Sequence, residues 1–412
     1  MNYAQFMKPF LLACTVLASA CTVDEVAVGG DEDEPLPSDE LGEIDAADLP
    51  PGCNQATTVV LYSESTNAFT LPQAFAAIAD PCTNYYVYLP ALTGDKTQVR
   101  ASADKVHALG PNFHAMAEFH FAAWRDWIAL SPGTRDFRIA GHVFRTRMAE
   151  AGFDAAAGDT WAINEFPSTT RTGEFDVWTH EIDAVTGLAE GDGTVTSRGI
   201  VFVAGMGETL ANFSVYKPNL ETWLQQTDFW SAMAASVRGF SYEVYADPHL
   251  NCVVGSNVPA DRAALNAFLE HLPRLAIAGG GATATAAAFL KRHSIPLLQA
   301  AFNSDVGFGD SRINLGDFEK FSRLQIYSTH FWAAENGYPG RRIGFAWAPK
   351  DATPDQELEL AGVIANSVTR SYPANGFFNL GKLACSSSGS LEGCGCTVSG
   401  SYNHGWDALD DF

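Results

Sequence analysis

The 412-residue sequence predicts an α/β fold, a (β/α)8 TIM barrel with a disulfide-stapled C-terminal extension. Three observations predict it. From residue 57 onward, short apolar or alternating runs rich in Val, Ile, Phe and Tyr recur; longer segments with helical spacing separate them; and the runs number eight, the count that closes a barrel of parallel strands. With 47% hydrophobic and 12% aromatic residues, the chain can bury one large core and lies far from disordered compositions.

In chain order the runs are TTVVLYS (57–63), NYYVYLPAL (84–92), NFHAMAEFHF (112–121), TWAINEF (160–166), GIVFVAGMG (199–207), GFSYEVYAD (239–247), PLLQAAFNSD (296–305) and RRIGFAWAP (341–349). The spacers read as helices. Residues 259–278 are amphipathic and open with Pro259; residues 354–372 open with Pro354 and acidic side chains and carry Arg370 near the end, as a helix dipole favours. The stretch 317–337 has apolar residues that suit either a strand or a helix ending at Gly337, and the seventh and eighth strands require a helix between them. The Gly-rich stretch 279–288 lacks the Lys-Ser/Thr pair of a phosphate loop and reads as a flexible connector. No internal repeat is visible.

The ends have a different character. Residues 1–20 hold one Lys, an apolar stretch of about a dozen residues and then small residues, the order of a secretory signal and too short to span a bilayer. Leu17-Ala18-Ser19-Ala20-Cys21 resembles a bacterial lipobox, with its Leu one place further from the cysteine than usual. That resemblance implies cleavage before Cys21, lipidation of Cys21 and a place at the bacterial cell surface or outer membrane; ordinary secretion is the alternative. Residues 21–52, rich in Asp, Glu, Pro and Gly without any Lys or Arg, read as an extended, self-repelling linker. Residues 53–380 form the expected barrel and 381–412 the Ser/Gly/Cys-rich extension. A net charge of −23 argues against nucleic acid as a partner, since a phosphate backbone needs a basic footprint. Outside the signal, nothing is long and apolar enough to cross a membrane, so contact with one is expected only through the lipid.

Cys53, Cys82, Cys252, Cys385, Cys394 and Cys396 remain after Cys14 and Cys21 are set aside, and an even number in an exported chain reads as three disulfides. Cys53 and Cys82, which precede the first two strands, are the expected pair.

In a parallel barrel the functional residues gather at the carboxyl ends of the strands. Polar residues cluster there: Glu118 and His120, Asn164 and Glu165, Glu243 with Tyr245 and Asp247, Asn303 and Asp305, and Trp347. Alternation puts Glu118 with His120, Glu243 with Tyr245, and Asn303 with Asp305 on shared faces. If those faces point inward, three glutamates converge on one opening, where burial and like charge push one carboxyl pKa above another, as acid/base work requires. Trp161, Tyr245, Trp347, Trp124 and Trp127 are candidate flat faces for sugar rings.

Asn164-Glu165 at the end of the fourth run, with Pro167 after it, resembles the Asn-Glu ending of the retaining clan of barrel glycoside hydrolases. The resemblance implies that Glu165 is the general acid/base and that Asn164 binds a sugar 2-hydroxyl. That clan carries its nucleophile, a Glu, at the end of the seventh strand, where this chain has Asn303-Ser304-Asp305. Either Asp305 substitutes, or Glu243 supplies the second carboxylate, or the chain belongs to a different barrel family. Glu243, set among aromatic residues that would exclude water, is favoured.

The expectation is a glycoside hydrolase using Glu165 and Glu243, with Asn164, Glu118, His120, Trp161, Tyr245, Asn303, Asp305 and Trp347 binding a polysaccharide or oligosaccharide, no cofactor and a monomeric chain. Two alternatives stand beside it. One is a carbohydrate-binding lipoprotein without catalysis. The other is a metal-dependent hydrolase using Glu118 and His120, since His114 lies about 20 Å from His120 along an extended strand, too far to share an ion. The absence of a G-x-S-x-G elbow, a P-loop and a G-x-G-x-x-G fingerprint removes support for serine-acyl, nucleotide and dinucleotide chemistry.

Overall fold

The computed structural model describes residues 52–53, 56–63, 69–89, 96–119, 137–166, 177–191, 193, 195–203, 225–244, 283–300, 341–347 and 353–371, together with 322, 325, 326, 329, 333 and 338. Eight strands pair in chain order, all parallel, and β8 closes on β1 to complete the barrel. They are β1 (Thr57–Tyr62), β2 (Thr83–Leu89), β3 (Phe113–Glu118), β4 (Thr160–Phe166), β5 (Gly199–Val203), β6 (Val237–Val244), β7 (Ser294–Ala300) and β8 (Arg342–Trp347). Each falls within or overlaps one of the eight runs. The helices are α1 (Thr70–Ala76), α2 (Lys96–His107), α3 (Phe137–Glu150), α4 (Val177–Glu190), α5 (Thr227–Ser236), α6 (Ala284–His293) and α7 (Pro354–Ser371).

Sequence alternation sorts the strand residues between two cores. Val60, Tyr62, Tyr86, Tyr88, Met116, Ala162, Ile200, Phe202, Ile295, Leu297 and Ala346 pack together inside the barrel. The intervening positions, such as Val59, Leu61, Ala115, Trp161, Phe240 and Trp347, pack with apolar residues of the helices, including Phe144, Trp230 and Phe289. Strands buried on both faces are why the runs read as near-continuous apolar stretches rather than clean alternations.

Helix ends follow local chemistry. At α7, Gln356 N–H donates to Thr353 Oγ1 (3.3 Å) and Thr353 N–H donates to Gln356 Oε1 (2.9 Å), a capping box just ahead of Pro354. Thr283 Oγ1 accepts Ala286 N–H at the start of α6, so residues 284–288 are helical and the connector reading of 279–288 is corrected for that half. Ser322, Gln325, Ile326, Thr329 and Ala333 are helical and all buried, spaced as one face of a helix. This agrees with a helix between β7 and β8. Helices α3 and α4 touch through glycine: a Cβ on Gly187 would stand 2.1 Å from the Arg138 carbonyl oxygen. The expected helix at 259–278 lies outside the described residues.

The amino-terminal face is stapled. Cys53 and Cys82 form a disulfide with Cα atoms 5.6 Å apart, tying the approach to β1 to that of β2. The other four candidate cysteines lie outside the described residues. Asp159, 2% exposed, anchors the start of β4: its Oδ1 accepts Ala115 N–H (2.7 Å), and its Oδ2 accepts Asp154 N–H (2.8 Å) and pairs with His107 Nε2 (2.8 Å). Burial raises its pKa, while the Asp154 and Ala115 amides and His107 pull the other way. No described helix is long and apolar enough to cross a membrane.

Candidate active site

The barrel interior is built in layers, each drawn from alternate strands. The pairing drifts by about one residue per strand, as the stagger of an eight-stranded barrel requires. Stepping along the register with that drift puts Val60, Met116, Ile200 and Ile295 in one layer of the odd strands. Above it, toward the carboxyl ends, come Tyr88, Ala162, Ser241 and Gly344, then Tyr62, Glu118, Phe202 and Leu297. Ring contacts between Tyr62 and Tyr88 (4.5 Å), Tyr62 and Phe202 (5.0 Å) and Tyr88 and Phe202 (5.7 Å) knit the upper two layers together. Gly344 makes room: a Cβ there would stand 2.9 Å from Leu297 Cδ1.

The uppermost positions answer why a carboxylate ends an apolar strand. Between β4 and β5, Ile163 pairs with Val201 but Phe166 pairs with Val203, so Asn164 and Glu165 together stand opposite Phe202. This is a β-bulge, a device that re-aims residues beside sites. Phe202 is an interior residue. The inserted residue therefore sets the backbones of both Asn164 and Glu165 against that one register position. Two strands on, Glu243 pairs with the interior residue Leu297. With the drift of about one residue per strand, Glu243 is level with the bulge. Glu118, 6% exposed, occupies the layer just beneath, on β3.

By register, Glu118, Asn164 and the backbones of Glu165 and Glu243 stand near one end of the barrel. The structure does not bring Trp161 and Trp347 to the interior. Trp161 is fully buried on the helix-facing side, its indole N–H donating to the Ser197 carbonyl (2.9 Å), and it fills the space left by Gly199, where a Cβ would stand 2.2 Å from its ring. Trp347 belongs to the same outer core and is also fully buried. Both stand on odd positions of strands whose even positions face inward, which corrects the expectation that these indoles meet a sugar. His120, Tyr245, Asp247, Asn303, Asp305, Trp124 and Trp127 lie outside the described residues. His114 is at the other end of the barrel, 3.4 Å from Asn84 Oδ1 and against the Tyr86 ring. Among the described residues no three His, Cys, Asp or Glu side chains form a metal-binding group.

Sequence reasoning missed the aromatic bed under the carboxylates, Tyr62, Tyr88 and Phe202. The available signal was parity: Tyr62 and Tyr88 are two residues on from the interior Val60 and Tyr86. The same parity marks Ser241, fully buried, whose hydroxyl has no hydrogen-bond partner among the described residues.

No family model and no curated protein matches the chain. Among solved structures, a trimodular GH5_4 subfamily endoglucanase aligns over 76% of this chain with a TM-score of 0.40 and 9% identity, and this chain spans 60% of that one. Triosephosphate isomerase from Bartonella henselae aligns over 77% of this chain and 99% of its own, at a TM-score of 0.34 and 13% identity. A GH31 dextranase of Flavobacterium johnsoniae aligns over 73% of this chain and 40% of its own, at a TM-score of 0.22 and 13% identity. Likeness at this level does not extend past the eight-stranded parallel barrel, which the strand pairing of this chain establishes by itself.

Proposed function

We propose that the chain is an exported glycoside hydrolase that cleaves an extracellular polysaccharide or oligosaccharide, with Glu165 as general acid/base and Glu243 as the second carboxylate. The observation that supports this reading is the bulge between Ile163 and Phe166, which sets the Glu165 backbone beside Asn164 opposite the interior residue Phe202, level with the Glu243 backbone. Adjacent strands lie ~4.8 Å apart, so the two backbones are separated by roughly 10 Å of barrel wall. Side chains turned inward from such positions would bring two carboxyl groups within the separations used in glycoside hydrolysis, about 5 Å for retention and ~6.5–9.5 Å for inversion. The buried aromatic layer of Tyr62, Tyr88 and Phe202 beneath them lowers the local dielectric, which favours one protonated and one ionised carboxyl. Asn164, sharing the bulge, serves the sugar 2-hydroxyl, and Glu118 binds substrate from the layer below. The signal-like residues 1–20 supply export and Cys21 a lipid tether at the bacterial surface.

Purified protein, wild type and Glu165→Gln, is incubated with a panel of polysaccharides and the released oligosaccharides are measured. The proposal expects turnover by the wild type and a loss of about 10²–10⁴-fold in kcat with binding retained in the variant. Glycan binding with no product from the wild type would replace it with a carbohydrate-binding role.

A further inference from the structure

We propose that a cavity on the outer wall of the barrel, at its amino-terminal end, binds a single uncharged sugar ring. The cavity measures about 230 Å³ and lies between the last turns of α3 and the segments that lead into β4 and β5. Drug-sized ligands occupy pockets of roughly 300–1,000 Å³, so this one suits a single ring. Met148 and Phe153, 2% and 5% exposed, line it with buried apolar surface, and Ala149, Ala156 and Val195 add apolar walls. Val195 is one of three large apolar side chains that stand exposed among the described residues.

Backbone chemistry holds the cavity open. Arg145, 8% exposed on α3, donates from Nη1 to the Leu188 carbonyl (2.7 Å) and from Nη2 to the Val195 carbonyl (3.0 Å), which ties the Val195 segment to α3. On the other side, Phe153 N–H donates to the Met148 carbonyl (3.1 Å) and Asp154 N–H to Asp159 Oδ2 (2.8 Å). Both edges are therefore fixed before a ligand arrives, and little ordering is lost on binding.

Two of the polar groups lining the cavity are acceptors. Asp154 Oδ1 accepts the Ala156 N–H (2.9 Å), which leaves Oδ2 for a ligand. Thr146 Oγ1 donates to the His142 carbonyl (3.1 Å) and keeps its lone pairs. Acceptors call for a ligand with protons to give, which a carboxylate or phosphate lacks. An ammonium has protons, but it would sit beside the Arg145 guanidinium that lines the same cavity. A hydrocarbon would leave the Asp154 carboxylate against apolar surface. A sugar ring fits all of these conditions: its hydroxyls donate to Asp154 and Thr146, its C–H face covers Val195 and Ala156, and it carries no charge. The choice of a sugar among uncharged polyols rests on the glycan substrate proposed above. Because the cavity is at the end of the barrel opposite Glu165, it holds a second stretch of polymer rather than the bond being cut.

The test titrates methyl-labelled full-length protein with methyl glucoside, xylose and N-acetylglucosamine, and follows the Val195 and Met148 methyl resonances. Benzylamine and benzoate serve as charged comparators. The proposal expects saturable shifts of both residues with at least one sugar and none with either charged compound. Ala149→Arg, at an exposed position of α3 that lines the cavity, lays a long side chain across it and should abolish the shifts. Asp154→Asn should weaken binding about tenfold, as loss of a charge-assisted hydrogen bond does. Leu358→Arg, exposed on α7, should leave binding unchanged. No saturable shift with any of the sugars, equal shifts with benzylamine or benzoate, or an unaltered response in Ala149→Arg overturns the proposal. If Ala149→Arg does not fold, Asp154→Asn decides in its place. Polysaccharide turnover with still Val195 and Met148 resonances would sink the cavity and leave the hydrolase standing, whereas saturable shifts without turnover would do the reverse.

Discussion

Acid destabilises this barrel through one buried imidazole. His293 closes α6, is 7% exposed, stacks on Phe289 at 4.8 Å, and donates from Nδ1 to the Arg238 carbonyl. Burial, reinforced by Arg342 and nearby arginines and opposed by that carbonyl, lowers its pKa from 6.5 to about 3. The ring is therefore neutral in the folded chain at every pH where the unfolded chain begins to protonate it. A depressed histidine pKa means that its contribution is fully present above pH 6.5 and is lost as pH falls from there toward about 3. Each pH unit inside that window costs ~1.4 kcal/mol, so about 2 kcal/mol has gone at pH 5. His293→Asn keeps an N–H donor near the Nδ1 position and removes the titration. Urea unfolding of both proteins at pH 8 and pH 5 isolates the residue, because every other titrating group is common to the pair. The wild type should lose about 2 kcal/mol more than the variant over that interval. Equal losses, or a His293 ring that titrates near pH 6.5 by NMR, would refute the reasoning.

Other consequences follow from single contacts. Gly199→Ala drives a Cβ into the Trp161 ring and should cost about 1–3 kcal/mol by overpacking, read as a lower urea midpoint. Asp159→Ala removes the acceptor shared by the Ala115 and Asp154 amides and should cost about 3 kcal/mol in the same assay. Replacing Cys53 and Cys82 by Ser opens a loop of sequence separation 29 and should lower stability by about 3–4 kcal/mol on chain-entropy grounds, with reductant reproducing the loss in the wild type. Glu243→Gln should reduce released oligosaccharide as strongly as Glu165→Gln if the two carboxylates act as a pair.

Much of the architecture is legible along the chain. A strand buried on both faces must be short, apolar and rich in β-branched or aromatic residues, and segments such as TTVVLYS and RRIGFAWAP satisfy that locally. Helix starts are equally local: Thr353-Pro354-Asp355-Gln356 announces α7 through its own capping contacts. Eight such strands interleaved with helices leave few alternatives to a closed barrel.

What alternation cannot supply is which parity faces inward, since both faces of these strands are apolar. Their place near strand ends points Trp161 and Trp347 to the mouth, yet they stand on the helix-facing parity. Asn164 and Glu165 depend on a bulge, one extra residue defined only against the partner strand β5. The hydrogen bonds from Arg238 to the Arg198 carbonyl and from Arg342 to the Arg238 carbonyl have no signature in sequence at all, because residues 40 and 104 positions apart meet through register. Local preference, short in range, settled from the sequence alone that this chain makes strands and helices in barrel order. Pairing between distant strands, which exists only once the barrel closes, decided which side chains share its mouth and which share its floor.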